Sequence, residues 1–244
     1  MQSLDATRSA AGGRCSPSGR CQVVPSERRA RAPRLLTTAS AVVVSETAQE
    51  LKASLAHELI GLDRGIFGVP AAKKAALNAM LTELEGQNPI AAPVDDIDKI
   101  AGAWRLLYST IAITGLKRTK LGLREFVRLG DFVQSIDTDA ALAVNTISFS
   151  VAGLGLLKGS LTIKAAYKRA SGTRVDIEFL ESVLTPEQLS KIFEASYDML
   201  LGIFNPQGHL DVTYLDDMHR VGRDDKGNVF YLERVAAPQE GLLG

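Results

Sequence analysis

The residues that most often carry chemistry are few in this chain: three histidines, two cysteines and one tryptophan. His209 and His219 flank a run containing Asp211, Asp216 and Asp217, and imidazole with carboxylate can hold zinc. None of these residues falls at a ligand spacing, so no metal is expected. Gly153-Leu154-Gly155-Leu156-Leu157-Lys158-Gly159-Ser160 has the glycine content of a phosphate loop. The Walker spacing is absent, and a dinucleotide fingerprint would require a third glycine at position 158. The segment reads as a turn between two strands. Asp216-Asp217-Met218-His219-Arg220 opens like an aspartate-rich diphosphate–magnesium motif, but Arg220 stands where the closing aspartate belongs and no second copy exists. There is no Gly-x-Ser-x-Gly elbow, and Ser109 and Ser148 have no histidine at an interpretable spacing. The reading is therefore of a protein that is not an enzyme and carries no cofactor. The densest charge is Lys117, Arg118, Lys120, Arg124 and Arg128, five basic residues in twelve positions opposed only by Glu125. Such a stretch suits an anionic headgroup, a diphosphate or an acidic partner surface. It lacks the interleaved aromatics on which single-stranded nucleic acid stacks, so no nucleic-acid partner is expected.

The elements that must position these groups are mostly strands. Residues 45–60 read as a helix with Leu51, Leu55 and Leu59 on one face. A glycine-rich stretch, residues 61–68, interrupts it. A second helix follows Pro70, taken as a first-turn proline, with Leu77, Met80, Leu81 and Leu84 at helical spacing and Gly86 as its stop. Period-two alternation then predicts strands at 104–109, 142–151, 161–168, 175–179, 210–214 and 229–235. Turn signals separate them at Ser171-Gly172, Gln207-Gly208 and residues 225–228. One late helix is expected from Thr185-Pro186-Glu187-Gln188, a capping threonine followed by a first-turn proline, with its apolar stripe running from Leu189 to Phe204. A meander of about eight strands with few helices predicts a mainly β, α+β fold: a small antiparallel β-barrel behind an N-terminal helical hairpin. Barrels of that size hold one small apolar ligand. Candidate cavity residues are Trp104, Tyr108, Phe149, Tyr167, Phe179, Tyr214 and Tyr231.

The 244 residues carry no net charge, with 28 Lys+Arg against 28 Asp+Glu. The balance hides an asymmetry. Residues 1–44 hold seven Arg, no Lys and only Asp5 and Glu27 as acids, a net +5, and residues 45–244 carry −5. The first 44 residues also contain nine Ser/Thr, seven Ala and no aromatic residue. That composition cannot offset its ordering entropy by burial and matches an organelle transit peptide. Residues 1–44 are therefore expected to be disordered and cleaved, with the folded domain at 45–240. Both cysteines, Cys15 and Cys21, lie in the expected transit segment, so the processed chain would have no thiol chemistry. No stretch reaches the roughly 18 apolar residues of a membrane-spanning helix.

Gly102-Ala103-Trp104 resembles the Gly-x-Trp signature of lipocalin barrels, in which the tryptophan closes one end and an arginine of the last strand lies over it. Arg234 is the counterpart here, so Gly102, Trp104 and Arg234 form the implied barrel closure. Leu62-Asp63-Arg64-Gly65-Ile66-Phe67-Gly68, Ala103-Trp104-Arg105-Leu106-Leu107-Tyr108-Ser109-Thr110 and the C-terminal run from Tyr214 to Phe230 resemble the plastid lipid-associated proteins, or plastid fibrillins. The resemblance covers 46–235. Residues 117–127 and Leu200-Leu201-Gly202-Ile203-Phe204-Asn205-Pro206 are most similar to the type-five branch, associated with plastoquinone biosynthesis. Asp216-Asp217-Met218-His219-Arg220 departs from the Asp-Glu-Asp-Leu-like sequence usual in that branch. The resemblance implies a lipocalin-like, non-enzymatic protein of the chloroplast stroma that binds a prenyl lipid and partners solanesyl diphosphate synthase. The alternative it implies is a coat protein of plastoglobules or thylakoid lipid bodies, in peripheral contact with their surface.

Overall fold

Alternating side chains make the strands, and local breaks in that alternation decide which way they face. The computed structural model describes residues 47–111, 127–151, 157–186 and 207–235. Eight strands run as β1 (Gly102–Ser109), β2 (Val127–Asp137), β3 (Leu142–Val151), β4 (Leu157–Arg169), β5 (Arg174–Thr185), β6 (Gly208–Leu215), β7 (His219–Asp224) and β8 (Val229–Val235). Each pairs antiparallel with the next, and β8 pairs back onto β1, so the sheet closes into a ring. The register sets Trp104 opposite Gln134 of β2 and opposite Arg234 of β8. The protein is thus mainly β with a few helices. Sequence alternation leaves out β2 and β7. In β2 the register shifts between Leu129 and Phe132, and Gly130 lies so close to β3 that a Cβ there would sit 3.0 Å from Ser148 Cβ. In β7 the alternate residues are Arg220, Gly222 and Asp224, which look nothing like a buried face.

Among the described residues three α-helices precede the strands: α1 (Ala48–Glu58), α2 (Ala71–Gly86) and the single-turn α3 (Ile97–Ile100). Thr47 and Glu50 cap α1 reciprocally, which satisfies two of its free N–H groups. Pro70 stands one position before α2, as its N-cap residue. Leu51 and Leu55 of α1 and Leu77, Leu81 and Leu84 of α2 are buried. The linker between the helices docks at Gly65, whose φ is +80° and where a Cβ would lie 2.4 Å from the Ser109 carbonyl oxygen. Only glycine meets both conditions. No helix among the described residues is long and apolar enough to cross a membrane.

Two apolar clusters result. One fills the ring around Trp104, Leu106, Phe132, Ile147, Ile163 and Val212. The other lies outside it, where α1 and α2 cover Tyr108, Tyr214, Val221, Val229 and Tyr231. Full burial of one leucine-sized side chain stabilises by about 1.5–3 kcal/mol, so each cluster is a substantial contribution. The expected late helix, from Glu187 onward, lies outside the described residues. Thr185, read as its cap, is the last residue of β5. Residues 152–156 of the glycine-rich segment are also outside, while Lys158, Gly159 and Ser160 belong to β4.

Candidate functional site: the lumen of the ring

Trp104 is fully buried and donates its indole N–H to the Ile100 carbonyl at 2.9 Å. That bond ties β1 to α3, which packs across this end of the ring. Two guanidiniums flank the indole: Arg234 at 4.3 Å from the ring centroid and Arg220 at 4.9 Å. Each such contact contributes up to about 2 kcal/mol when desolvated. Gly102 makes room for one of them. Its φ is +106°, and a Cβ would approach Arg234 Nη1 to 3.0 Å. Each guanidinium nitrogen of Arg234 donates to a main-chain carbonyl: those of Asp217 at 2.9 Å, Ala101 at 2.7 Å, and Lys99.

Arg220 is finished differently. It is 2% exposed, and burial together with the nearby Arg234 charge lowers its pKa to about 9. It donates to Gln134 Oε1, and Gln134 Nε2 donates in turn to Asn145 Oδ1 at 3.0 Å. Arg220 Nε has no partner. The polar row Arg220–Gln134–Asn145 crosses a largely apolar interior. Two cavities open beside it. One, of about 90 Å³, is lined by Leu106, Phe132, Phe230, His209 and Asp224 among others. The second, of about 200 Å³, lies against α3 and is lined by Ile100, Ile136, Tyr167 and Val175 among others. Gln134, Ala143 and Arg220 belong to both walls.

The expected cavity residues divide between the two clusters. Trp104 and Phe149 are buried in the interior, with Tyr167 and Phe179 packed against them. Of the seven, Tyr167 lines a cavity. Tyr108, Tyr214 and Tyr231 face outward under the helices, which corrects their placement in the lumen. Bulges cause two of these reversals. The register shifts between Leu106 and Tyr108 in β1 and between Val212 and Tyr214 in β6, and one extra residue turns all later side chains to the opposite face. Tyr231 lies outward by plain alternation, since its neighbours in β8, Phe230 and Leu232, pack inward. Of the basic stretch, Arg128 is exposed at the start of β2; Lys117, Arg118, Lys120 and Arg124 lie outside the described residues. Among the described residues no cluster of His, Cys, Asp or Glu could hold a metal ion.

Of the outward tyrosines, Tyr214 enters a polar network, while the buried Tyr108 hydroxyl has no partner. Tyr214 donates its hydroxyl to Asp216 Oδ2 at 2.7 Å, and Lys52 of α1 reaches the same oxygen at 2.7 Å. The N–H groups of Met218 and His219 donate to Oδ1 at 2.8 and 2.6 Å. Burial pushes the Asp216 carboxyl up, but these four donors outweigh it and hold its pKa at about 2. The Tyr214 hydroxyl is pushed up, first by burial and then by its bond to Asp216. His219 stacks on Tyr231 with 5.5 Å between ring centroids, and burial lowers its pKa. His219 Nδ1 is buried without a hydrogen-bond partner.

Sequence reasoning passed over Arg220 as a site residue, noting it only as a break in an aspartate motif. The available signal was parity. Arg234 and Leu232 face inward on β8, and Arg220 pairs with Leu232 across β7.

A closed ring of eight antiparallel strands with an internal, mostly apolar cavity defines a small β-barrel protein. The chain belongs to the PAP_fibrillin family, whose sequence pattern matches residues 49–233. It is 27% identical over 241 residues to the chromoplast-specific carotenoid-associated protein C1 of an Oncidium hybrid, covering 83% of this chain and 73% of that one. It is 26% identical over 242 residues to probable plastid-lipid-associated protein 2 of Arabidopsis thaliana, covering 84% and 76%. Plastoglobulin-1 of Pisum sativum is 31% identical over 150 residues, 61% of this chain and 40% of that protein. These relatives are chloroplast and chromoplast proteins by name. The family inferred from Leu62–Gly68 and the β1 segment is the same one.

Proposed function

We propose that the chain is a non-enzymatic, lipocalin-like lipid-binding protein of the plastid stroma, released from residues 1–44 on import. It takes a prenyl lipid into the barrel lumen and assists solanesyl diphosphate synthase in plastoquinone formation, as the type-five segments imply. The observation that carries the lipid-binding part is the lumen: two cavities walled largely by apolar side chains inside a member of a family named for lipid association. Burying a prenyl chain is favourable by about 0.8 kcal/mol per CH₂, and removing product can relieve a release-limited enzyme. The cavities are smaller than the roughly 300–1,000 Å³ of ordinary ligand pockets. A long prenyl chain would therefore insert one end and leave the rest at the rim. The synthase assayed with and without the purified chain tests this reading. A saturable rise in turnover is the expected outcome; unchanged turnover with no co-purification overturns the partnership.

A coat role on plastoglobules is the second reading, favoured by the similarity to Plastoglobulin-1. It predicts that the protein fractionates with isolated plastoglobules, while the carrier reading predicts the stromal fraction. The exposed large apolar side chains among the described residues are Ile60, Ile97, Leu180, Val183 and Met218. They come from separate elements apart from the β5 pair, which supplies little surface for coating a lipid body.

A further inference from the structure

We infer that Arg220 anchors the anionic oxygen head of an apolar-chain ligand, held deep in the lumen where the two cavities meet. The inference rests on the lumen being the lipid site and adds the chemistry of the head and its orientation.

Where the two cavities meet, Arg220 keeps a buried donor that no acceptor reaches. A guanidinium has five N–H donors and accepts nothing. Arg220 uses one nitrogen on Gln134 Oε1, and its Nε has no partner although the side chain is 98% buried. Gln134 is used at both ends of its amide, and Asn145 accepts through Oδ1, which leaves the Asn145 N–H₂ as a further donor on the first cavity's wall. No carboxylate among the described residues lies in ion-pair contact with Arg220. The one carboxylate on either wall, Asp224, is taken up by its own turn. Its Oδ1 accepts from the N–H of Lys226 at 3.0 Å and of Asn228 at 2.7 Å, and its Oδ2 from Asn228 Nδ2 at 2.7 Å. Arg169, on the second wall, is paired with Asp95 at 2.9 Å. His209, on the first wall, adds no negative charge in either protonation state.

Arg234 gives the internal control. Both guanidiniums lie on Trp104, yet all three nitrogens of Arg234 donate to carbonyls, whereas Arg220 Nε has no partner. A buried charge left without a partner is costly. Its presence beside empty volume calls for a partner of opposite charge. At pKa about 9 it is cationic at pH 7. A carboxylate or a phosphate monoester satisfies it by charge-assisted hydrogen bonds. The surrounding Leu106, Phe132, Ile177 and Leu210 then receive the first carbons of the chain.

The test uses the full chain and its only tryptophan, Trp104, as the reporter. Dodecanoate, dodecyl phosphate and methyl dodecanoate are titrated while Trp104 emission is read. One charge-assisted hydrogen bond contributes about 1.5–3 kcal/mol, so one or both anions should bind at least about tenfold more tightly than the ester. Which anion leads distinguishes a carboxylate from a phosphate source. Arg220→Gln should erase the preference while ester binding persists, and Arg220→Lys should restore part of it. If Arg220→Gln does not fold, the wild-type comparison of acid and ester still decides. Equal affinity for anions and ester overturns the anchor and leaves lipid binding intact. Binding of neither overturns both.

Discussion

The strands β1, β6 and β8 each carry residues of both apolar clusters, one on either face, and the two faces are finished in different ways. Under the helices Tyr108, Tyr214 and Tyr231 are buried, and the carboxylates that enter are matched. Asp216 gathers four donors, and Glu85 of α2 accepts from Thr213 at 2.6 Å and from Arg223 at 2.7 Å. Inside the ring, small residues such as Ala143 and Ala165 leave space, and Arg220 is short of acceptors. Close packing is the rule in protein interiors, and so is hydrogen bonding of buried polar groups. The outer face is packed under the helices, yet it leaves the buried Tyr108 hydroxyl and His219 Nδ1 without hydrogen-bond partners; at Arg220 in the lumen a missing partner coincides with empty volume. A ligand site is expected where packing and polar pairing are left incomplete together.

The largest expected effect breaks the outer face. Leu81 is fully buried between α2 and the strands. Leu81→Ala should cost about 3 kcal/mol, within the 2–5 usual for such truncations, read as a shift of the urea midpoint. The folded fraction should still prefer anionic dodecyl probes over the ester. Loss of that preference while the protein remains folded would show that the two faces are not separate in function.

Asp216 sharpens the same contrast by charge. Its folded-state pKa of about 2 lies below the ordinary 3.8, so the stability it contributes is full above pH 4 and is lost as the pH falls from about 4 to 2. The shift corresponds to roughly 2 kcal/mol. Burial also lowers His219, so protonation there favours the unfolded chain and stability declines further as the pH falls below 6.5. Asp216→Asn should therefore cost roughly 2 kcal/mol at pH 7, and the gap from wild type should close on approaching pH 2. Chemical denaturation at pH 7, 5 and 3 reads this. A gap that does not change with pH would remove the charge from the account.

The strand content, the helical hairpin and the family were legible in the residues. Leu51, Leu55, Leu77, Leu81 and Leu84 announce their buried stripes, and the alternation in β4 and β8 is clean. What stayed hidden depends on single inserted residues. Nothing in Leu106-Leu107-Tyr108 marks the register shift that turns Tyr108 outward, because apolar residues occupy both faces. In Val212-Thr213-Tyr214 the alternation itself misleads, because it sets Tyr214 on the face of Val212 and the register shift turns it to the other. The inward face of β7 escaped for another reason. Arg220 and Asp224 look like solvated residues, and only pairing with β8 places them inside. Tyr231 needed no structure, since odd spacing from Arg234 already sets it on the other face.

The smallest expected change in stability addresses the lumen directly. Ala143 lies on both cavity walls beside Gln134 and Arg220. A leucine there grows into existing space instead of into a packed neighbour, so Ala143→Leu should move the unfolding free energy by less than about 1.5 kcal/mol in either direction. Its effect on binding should be large, at least about tenfold weaker for dodecanoate, because the added side chain occupies the volume next to the guanidinium. Ala48→Leu provides the matched control. Ala48 packs against the outer cluster, so enlarging it should leave dodecanoate affinity unchanged whatever it does to stability. If both variants bind like wild type, the vacant space beside Arg220 is not where the chain lodges. If Ala48→Leu alone weakens binding, the outer face is the site, and the incompleteness of the lumen has another cause.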